Sequence, residues 1–404
     1  MTDFDKPLAI RITCAPGLVD YLRREVEELG YTVDFSRPTG LEITAGMHDA
    51  MRLNLFLRTA FNVLVLIDTF TCADPDELYK HVRALRWEEM ISPDEYLSVV
   101  SSVNTPTIND WRYASLKVKD AIVDRVASVA GARPNSGPER ENFVVHLYWN
   151  GNDARLFFNT SGRKLADRNY RKIPYKAPMQ ETLAASVILA TGHDGSVPLV
   201  NPMCGSGTLA IEAALIASGR PPGLLRSNFG FMHRKGFDSD AWQSMRRSAK
   251  KIRNKGTIAP IVATDIDADV LTQAKAGGPY PPNEVQNVPK GLLQKYFTAE
   301  KRGYMIAEEV RREVLFRKHN LLSDGFQIGF DVILCRNVII YFSDEAKATL
   351  FSRFRTALKP KGVLFIGGTE ALLPANSQGF EQIATNFYRK SVLPAVDAKR
   401  EKAA

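Results

Sequence analysis

The sequence predicts an α/β protein whose second half is an open parallel sheet covered by helices on both faces, and three observations carry that reading. From Gln180 onward, short and strongly apolar strands alternate with helices, as they do when strands are buried on both sides. A glycine-flanked turn, Gly205-Ser206-Gly207, stands between a short strand and a helix. The next predicted strand ends in an acid, Asp265.

In chain order, residues 9–13 read as a strand and 18–29 as an amphipathic helix stopped by Gly30. Residues 31–35 and 41–44 supply further strands. Residues 63–70 form a strand, 75–84 a helix with an acidic first turn, 96–101 a strand and 113–130 a long helix. Residues 144–149 and 154–159 form a hairpin turned by Asn150-Gly151-Asn152. Residues 131–142, rich in Gly, Pro and charge, are a surface loop. In the second half, 181–190 is a helix, and 197–200 a strand leading into the stretch from Asn201 to Thr208. Residues 209–217 are a helix, 261–264 a strand ending at Asp265, and 268–275 a helix. Residues 330–334 are a strand ending at Cys335-Arg336-Asn337, 345–358 a helix, and 363–367 and 387–393 strands. A disordered tail closes the chain over 393–404.

At 404 residues the chain has room for two or three domains, and its 45% hydrophobic and 24% charged content fits a soluble globular protein. No run approaches the roughly 18 apolar residues of a membrane span. The stretch 1–6 carries two acids and no apolar run follows it, so a secretory signal is not expected and a cytoplasmic location is. The four cysteines, Cys14, Cys72, Cys204 and Cys335, show no CxxC spacing and read as reduced thiols; no metal is expected.

The net charge of +8 is compatible with a polyanionic partner, and its distribution is more telling. Between 160 and 180 stand Arg163, Lys164, Arg168, Arg171, Lys172 and Lys176, with Tyr170 and Tyr175 among them and Asp167 the only acid. A second run, Arg246, Arg247, Lys250, Lys251, Arg253 and Lys255, contains no acid. Such clusters neutralise phosphates, and rings among them stack on unpaired bases. The plainer alternatives are a solvated linker and a solvated helix face.

Open parallel sheets bind ligands beyond the carboxyl ends of their strands. Gly205 and Gly207 let backbone approach a ligand closely, and the helix from Thr208 offers free N–H groups. Asp265 has the chemistry to accept both ribose hydroxyls of an adenosine; the alternative is a helix N-cap, for which Asp267 is better placed. A nicotinamide enzyme would carry its acid about 20 residues after the glycines. Asp265 lies far beyond that spacing.

The stretches 179–185, 201–212, 222–224 and 229–231 resemble the THUMP-domain methyltransferases that modify the 2-amino group of guanine in large-subunit ribosomal RNA. Residues 113–124 resemble the THUMP helix of that family. The resemblance runs over about 1–256. It implies a Rossmann-like class I methyltransferase domain preceded by a ferredoxin-like unit and an α/β THUMP domain. It also implies S-adenosylmethionine at Gly205, Ser206, Gly207 and Thr208, with Glu181, Thr182 and Asn201 nearby. RNA contacts are expected at Lys117, Lys119, Arg163, Lys164, Arg168, Arg171 and Lys172. The family's Asn-Pro-Pro-Tyr tetrapeptide, whose amide and carbonyl accept the amine hydrogens while the ring stacks on the base, does not follow Gly256.

Instead, 263–267, 296–297, 320–322, 330–342 and 358–362 resemble the CheR-type chemotaxis-receptor glutamate methyltransferases, over about 258–390. That resemblance implies that Asp265, Asn320, Leu321 and Arg336 contact the cofactor, that Tyr341 lies near the transferred methyl, and that 280–316 form a small β-subdomain. A carboxylate acceptor is already nucleophilic and needs placement and desolvation, not a base. Asn337 offers an amide in the place of the missing tetrapeptide; a structural ion pair is the alternative for Arg336. The expected layout is a ferredoxin-like unit (1–53), a THUMP domain (54–160), a basic linker (161–178), a hybrid methyltransferase domain (179–392, joined near 256–263) and the tail. Three functions stand: an RNA methyltransferase, a protein carboxyl methyltransferase, and a hybrid that binds RNA or cofactor without catalysis.

Overall fold

The computed structural model describes residues 6–108, 110–170, 179–202, 204–205, 207–252, 258–265, 271–272, 275, 297–300, 303–306, 314–335, 338–339, 342–367 and 379–391. The chain divides into two compact units: residues 1–171 with 220–252, and residues 172–219 with 253–404.

The first unit is built on one seven-stranded sheet. Its elements are β1 (Leu8–Thr13), α1 (Val19–Glu28), β2 (Phe35–Arg37), β3 (Gly40–Ala45), α2 (Met47–Phe56), β4 (Asn62–Thr71), α3 (Pro75–Ala84), β5 (Leu97–Asn104), α4 (Trp111–Ala130), β6 (Phe143–Asn150) and β7 (Asp153–Asn159). The strand order is β2-β3-β1-β4-β7-β6-β5. The ten-residue β4 pairs antiparallel with both β1 and β7, so the predicted N-terminal unit and the domain after it share one continuous sheet. Alternate residues such as Ile10, Ile12, Ile43, Val63, Leu147 and Leu156 point to one face and are buried with Leu22, Val26, Leu78, Val82 and Val118 from the helices. Asp74 starts α3 by accepting hydrogen bonds from the N–H groups of Asp76 and Glu77, and Asp110 starts α4 through Arg112 N–H. Gly131, at φ 70°, closes α4 in the left-handed conformation.

Two local expectations change. The strand foreseen over 31–35 is confined to Phe35–Arg37, and Tyr31 instead donates its hydroxyl to Asp49. Helix α2 had no counterpart in the sequence reading. It is buried nearly all round, so its apolar residues show no single stripe.

The third correction is larger. Residues 220–252 were expected within the cofactor domain, yet they pack on the first unit. Two single-turn helices (Pro222–Leu225 and Gly230–His233) and α7 (Ser239–Lys251) carry Phe229, Phe231 and Trp242 into that unit's core. The indole of Trp242 stands edge-on to both phenyl rings at 5.4 and 4.9 Å. Backbones meet closely here: a Cβ on Gly223 would lie 2.6 Å from Leu55 Cα, and one on Gly230 would overlap the Asn159 carbonyl oxygen at 2.3 Å.

In the second unit, α5 (Glu181–Ala190), β8 (Leu199–Pro202), α6 (Thr208–Ala217), β9 (Ile261–Asp265), β12 (Val314–Lys318), β13 (Phe330–Cys335), α8 (Asp344–Ala357), β14 (Leu358–Ile366), β15 (Phe380–Ala384) and β16 (Phe387–Lys390) build the second sheet. Strands β10 (Phe297–Glu300) and β11 (Gly303–Ile306) form a separate hairpin. Since β12 pairs parallel with β9, Val314–Lys318 belongs to the main sheet, and the small β-subdomain expected over 280–316 does not extend through Phe316. The order is β12-β9-β8-β13-β14-β16-β15, with β16 antiparallel to β14. Leu199, Ile261, Val332 and Leu334 face α5 and α6, whereas Val200, Ile333, Leu364 and Ile366 face α8. Among the described residues, no helix is long and apolar enough to cross a membrane.

Candidate functional site

The chain moves outward from β8 through β9 to β12, then returns to the other side of β8 with β13. That reversal is the switch point at which a doubly wound sheet opens a crevice beyond its carboxyl ends. The turn after β8 lies there. Cys204 N–H donates to the Thr264 carbonyl at 2.9 Å, tying the turn to the end of β9, and Gly207 N–H donates to the Cys204 carbonyl at 2.8 Å. Gly205 and Gly207 take φ of 50° and 76°, a region that only glycine enters without strain. Gly207 is the N-cap of α6, and its carbonyl accepts the helix's first bond from Ile211.

Around this turn the polar groups are buried: Glu181 and Thr182 in the first turn of α5, Asn201 in β8, and Thr208 and Glu212 in α6. Among the described residues, the Asn201 Nδ2 and Thr182 Oγ1 atoms find no hydrogen-bond partner. An unsatisfied buried amide donor costs about 1–3 kcal/mol, so its retention marks a place for a ligand acceptor. Together with the glycine backbone and the α6 N-terminus, these atoms fit a nucleoside-bearing cofactor with a charged amino-acid end. On the α8 face, a cleft of about 190 Å³ is lined by Val200 and Pro202 of β8, Val262 and Thr264 of β9, His319 just after β12, and Ile333 of β13. Phe326 stands edge-on to the His319 ring at 5.1 Å.

The expected cofactor residues Glu181, Thr182, Asn201, Gly205, Gly207 and Thr208 thus belong to one structural neighbourhood, on elements that pack together. Asp265 is the last residue of β9, as expected for a ribose-binding acid; its side chain lies outside the described residues. Asn320 directs its side chain into its own turn, accepting Leu322 N–H at 3.0 Å, and Leu321 is buried beneath the cleft-bearing face. Ser206 and the three expected acceptor-site residues, Arg336, Asn337 and Tyr341, lie outside the described residues.

The expected RNA contacts fare unevenly. Arg168 is a correction: it is 2% exposed, and its guanidinium donates to the carbonyls of Arg58 and Leu165, so it holds the fold and offers nothing to a phosphate. Arg246, from the second basic run, is likewise buried and bonds the carbonyls of Arg226 (3.0 Å) and Leu224 (3.2 Å). Lys117 pairs with Asp76 at 2.8 Å, Lys119 with Asp120 at 3.0 Å, and Arg163 with Glu141 and Asp167. Lys164 is exposed and sits 4.7 Å from the Phe61 ring. Arg171 and Lys172 lie outside the described residues.

Sequence reasoning passed over Arg226. Its guanidinium donates to the carbonyls of Ser161 (2.9 Å), Lys164 (2.9 Å), Arg163 (3.2 Å) and Asn228 (3.3 Å), and it stacks 4.7 Å from the Phe229 ring. Burial pulls its pKa down to about 10. Nothing in an isolated arginine codon-neighbourhood announces such a role; only the fold brings four carbonyls to one point.

Four family models match successive parts of the chain: the RlmL ferredoxin-like domain over 9–64, the THUMP domain over 72–158, the RMKL-like methyltransferase domain over 168–277, and the CheR methyltransferase SAM binding domain over 244–389. The chain is 35% identical over 240 residues to the ribosomal RNA large subunit methyltransferase K/L of Photobacterium profundum, covering 59% of this chain and 34% of that protein. It is 35% identical over 256 residues to its namesake from Syntrophotalea carbinolica, covering 62% and 36%. The chain thus matches about a third of the length of these relatives. A solved structure described as a possible methylase from Clostridium difficile 630 superposes over 96% of this chain and 98% of its own, with a TM-score of 0.74 and 20% identity, a likeness of fold alone. The chain therefore carries an RlmL-type ferredoxin-like domain, a THUMP domain, and a methyltransferase domain whose earlier and later parts match two different families.

Proposed function

We propose that the protein transfers the methyl group of S-adenosylmethionine to RNA, with the 2-amino group of a guanine in large-subunit ribosomal RNA as the acceptor. The observation that carries this reading is the glycine turn at the switch point, with buried, unpartnered Asn201 Nδ2 and Thr182 Oγ1 beside it, in a chain that also holds a THUMP domain. The cofactor supplies an electrophilic methyl. The backbone of Gly205 to Thr208 would seat its amino-acid end, the Asp265 carboxylate its ribose, and the cleft beside Thr264 and His319 its base. Arg336, Asn337 and Tyr341, which follow β13 in the sequence, would address the acceptor.

The match of 244–389 to the CheR-type cofactor-binding domain favours a second reading, a protein carboxylate acceptor. One experiment separates them: purified protein, S-adenosylmethionine labelled in its methyl, and ribosomal RNA or total soluble protein, followed by mild alkali. Alkali-stable label in RNA supports the RNA reading. Label released from protein as methanol replaces it with the carboxyl ester. Intact cofactor binding with no transfer to either would leave a binding protein and overturn both.

A further inference from the structure

Helix α7 divides its residues between two sides. Trp242, Arg246 and Ala249 are buried, with Met245 packed beside them, at the i, i+3, i+4, i+7 spacing of one helical stripe. The outer side presents Gln243, Arg247, Lys250 and Lys251, all exposed, with Ser244 and Ser248 along its margin. Lys250 and Lys251 stand three and four residues after Arg247, so the three cations are neighbours on the helix surface. Like charges so placed repel by about 0.2–0.5 kcal/mol per pair. The two lysines lie in the last turn, where the helix dipole favours a cation, but Arg247 stands before it and gains little. The acids of the helix are at its other end: Asp240, and the N-cap Asp238, which accepts Ala241 N–H at 2.9 Å and meets His48 at 3.1 Å. Among the described residues, none of Arg247, Lys250 and Lys251 forms an ion pair. A further cation lies beneath them. The Arg246 guanidinium is buried and bonded to the carbonyls of Arg226 and Leu224, with no carboxylate bonded to it among the described residues. Its charge is therefore not cancelled and, set in the interior, is screened little by salt.

The one aromatic ring of α7, Trp242, faces inward, so the outer side holds groups that grip phosphates and sugar hydroxyls and no ring to stack on a base. We propose that this side of α7 is a docking surface for the sugar–phosphate backbone of RNA, with Arg247, Lys250 and Lys251 on phosphates and Gln243, Ser244 and Ser248 on neighbouring oxygens. The proposal rests on the RNA reading above. It moves the contact surface away from α4 and the 163–168 run, where Lys117, Lys119 and Arg163 are paired with acids and Arg168 is buried.

The test titrates the full chain into a fluorescein-labelled, mixed-sequence single-stranded RNA, by anisotropy, at several salt concentrations. The Arg247→Gln/Lys250→Gln/Lys251→Gln variant is expected to lower the log–log salt slope by about 2, roughly 0.7 for each lost phosphate contact. Its tryptophan emission and urea midpoint, which report the unit that holds α7, are expected to stay at the parent values because all three side chains point to water. Limited acetylation of the unaltered protein, read by mass spectrometry, needs no variant to fold. Bound RNA is expected to shield Lys250 and Lys251 while leaving Lys117 and Lys119 as reactive as before. A parent-like slope in the folded variant, or equal acetylation of Lys250 and Lys251 with and without RNA, would overturn the α7 surface while leaving RNA binding intact. Absence of any RNA binding by the unaltered chain would overturn the RNA reading itself.

Discussion

Replacing Arg226 by Met should unfasten residues 220–252 from the first unit. The guanidinium serves four carbonyls at 2.9–3.3 Å, and three of them belong to the segment Ser161–Lys164 that follows β7. A hydrogen bond to a charged group is worth about 1.5–3 kcal/mol, and the two short ones dominate. Against this stands the cost of holding a cation in the interior, shown by a pKa drawn down to about 10. Removing the guanidinium leaves buried carbonyls without that donor at about 1–3 kcal/mol each, so with the relief of the buried charge set against them a net loss of about 3–5 kcal/mol is expected. The assay is favoured by composition: all four tryptophans, Trp87, Trp111, Trp149 and Trp242, lie in the first unit, so their fluorescence in urea reports that unit alone. With a slope of about 2–3 kcal/mol per molar urea, the midpoint should fall by about 1–2 M. Arg226→Lys should lose nearly as much, since an ammonium cannot span a planar array of carbonyls. A Met variant within about 0.3 M of the parent would refute the clamp.

Asn201→Leu should leave stability unchanged or raise it, because a buried donor without a partner is removed, while weakening S-adenosylhomocysteine binding about tenfold by calorimetry; equal loss of both would show that the amide is structural. Gly223→Ala should lower the thermal midpoint reported by tryptophan by about 5 °C, since the new methyl meets Leu55 and Asn54 backbone at 2.6–2.7 Å; an unchanged midpoint would mean that the contact yields freely. His146 has a folded pKa below its unfolded one, so the unfolded chain binds the extra proton between pH 6.5 and about 4. Its contribution is therefore present above pH 6.5 and is lost as pH falls towards 4, by up to about 3 kcal/mol. His146→Phe should flatten that part of the stability profile, and an identical acid limb in the variant would assign it elsewhere. Glu88 is held down to about 2 by its paired hydrogen bonds from Arg125 at 2.6 and 3.0 Å. Arg125→Leu should remove a small stabilisation that the parent keeps above pH 4.5 and loses below it, and equal stability at pH 6 would count against the pair.

Much of the fold was legible because periodicity and punctuation agree. Glu181–Ala190 was read to the residue, and Asn150-Gly151-Asn152 announced the β6–β7 turn. The turn at Gly205–Gly207 was legible because glycine followed by a helix start is a local pattern, and both glycines take positive φ. What failed was non-local. A basic residue in a basic run gives no sign of whether it will face water or carbonyls; Arg168 and Arg246 went inward because the segments around them present backbone carbonyls to their guanidinium groups. Similarly, α2 hides its period because Asn54, on what would be a polar face, is bonded to Ala50, Thr160 and Ser161 inside the core. The division of the chain at 220 and 252 was invisible for the same reason: Phe229, Phe231 and Trp242 read as apolar residues of whatever domain surrounds them in sequence.

That division has a consequence for biosynthesis. A nascent chain emerging from the ribosome would have its first 171 residues free to fold well before residue 252 is made. Until then the sheet's helical side lacks the three large rings, the Arg226 clamp and the cap of α7, and Leu55 and Trp149 belong to a core that is not yet closed. Vectorial domain-by-domain folding is therefore interrupted. The first unit is finished only after the first strand of the second sheet and its glycine turn have been synthesised, so the order of translation and the order of completion differ.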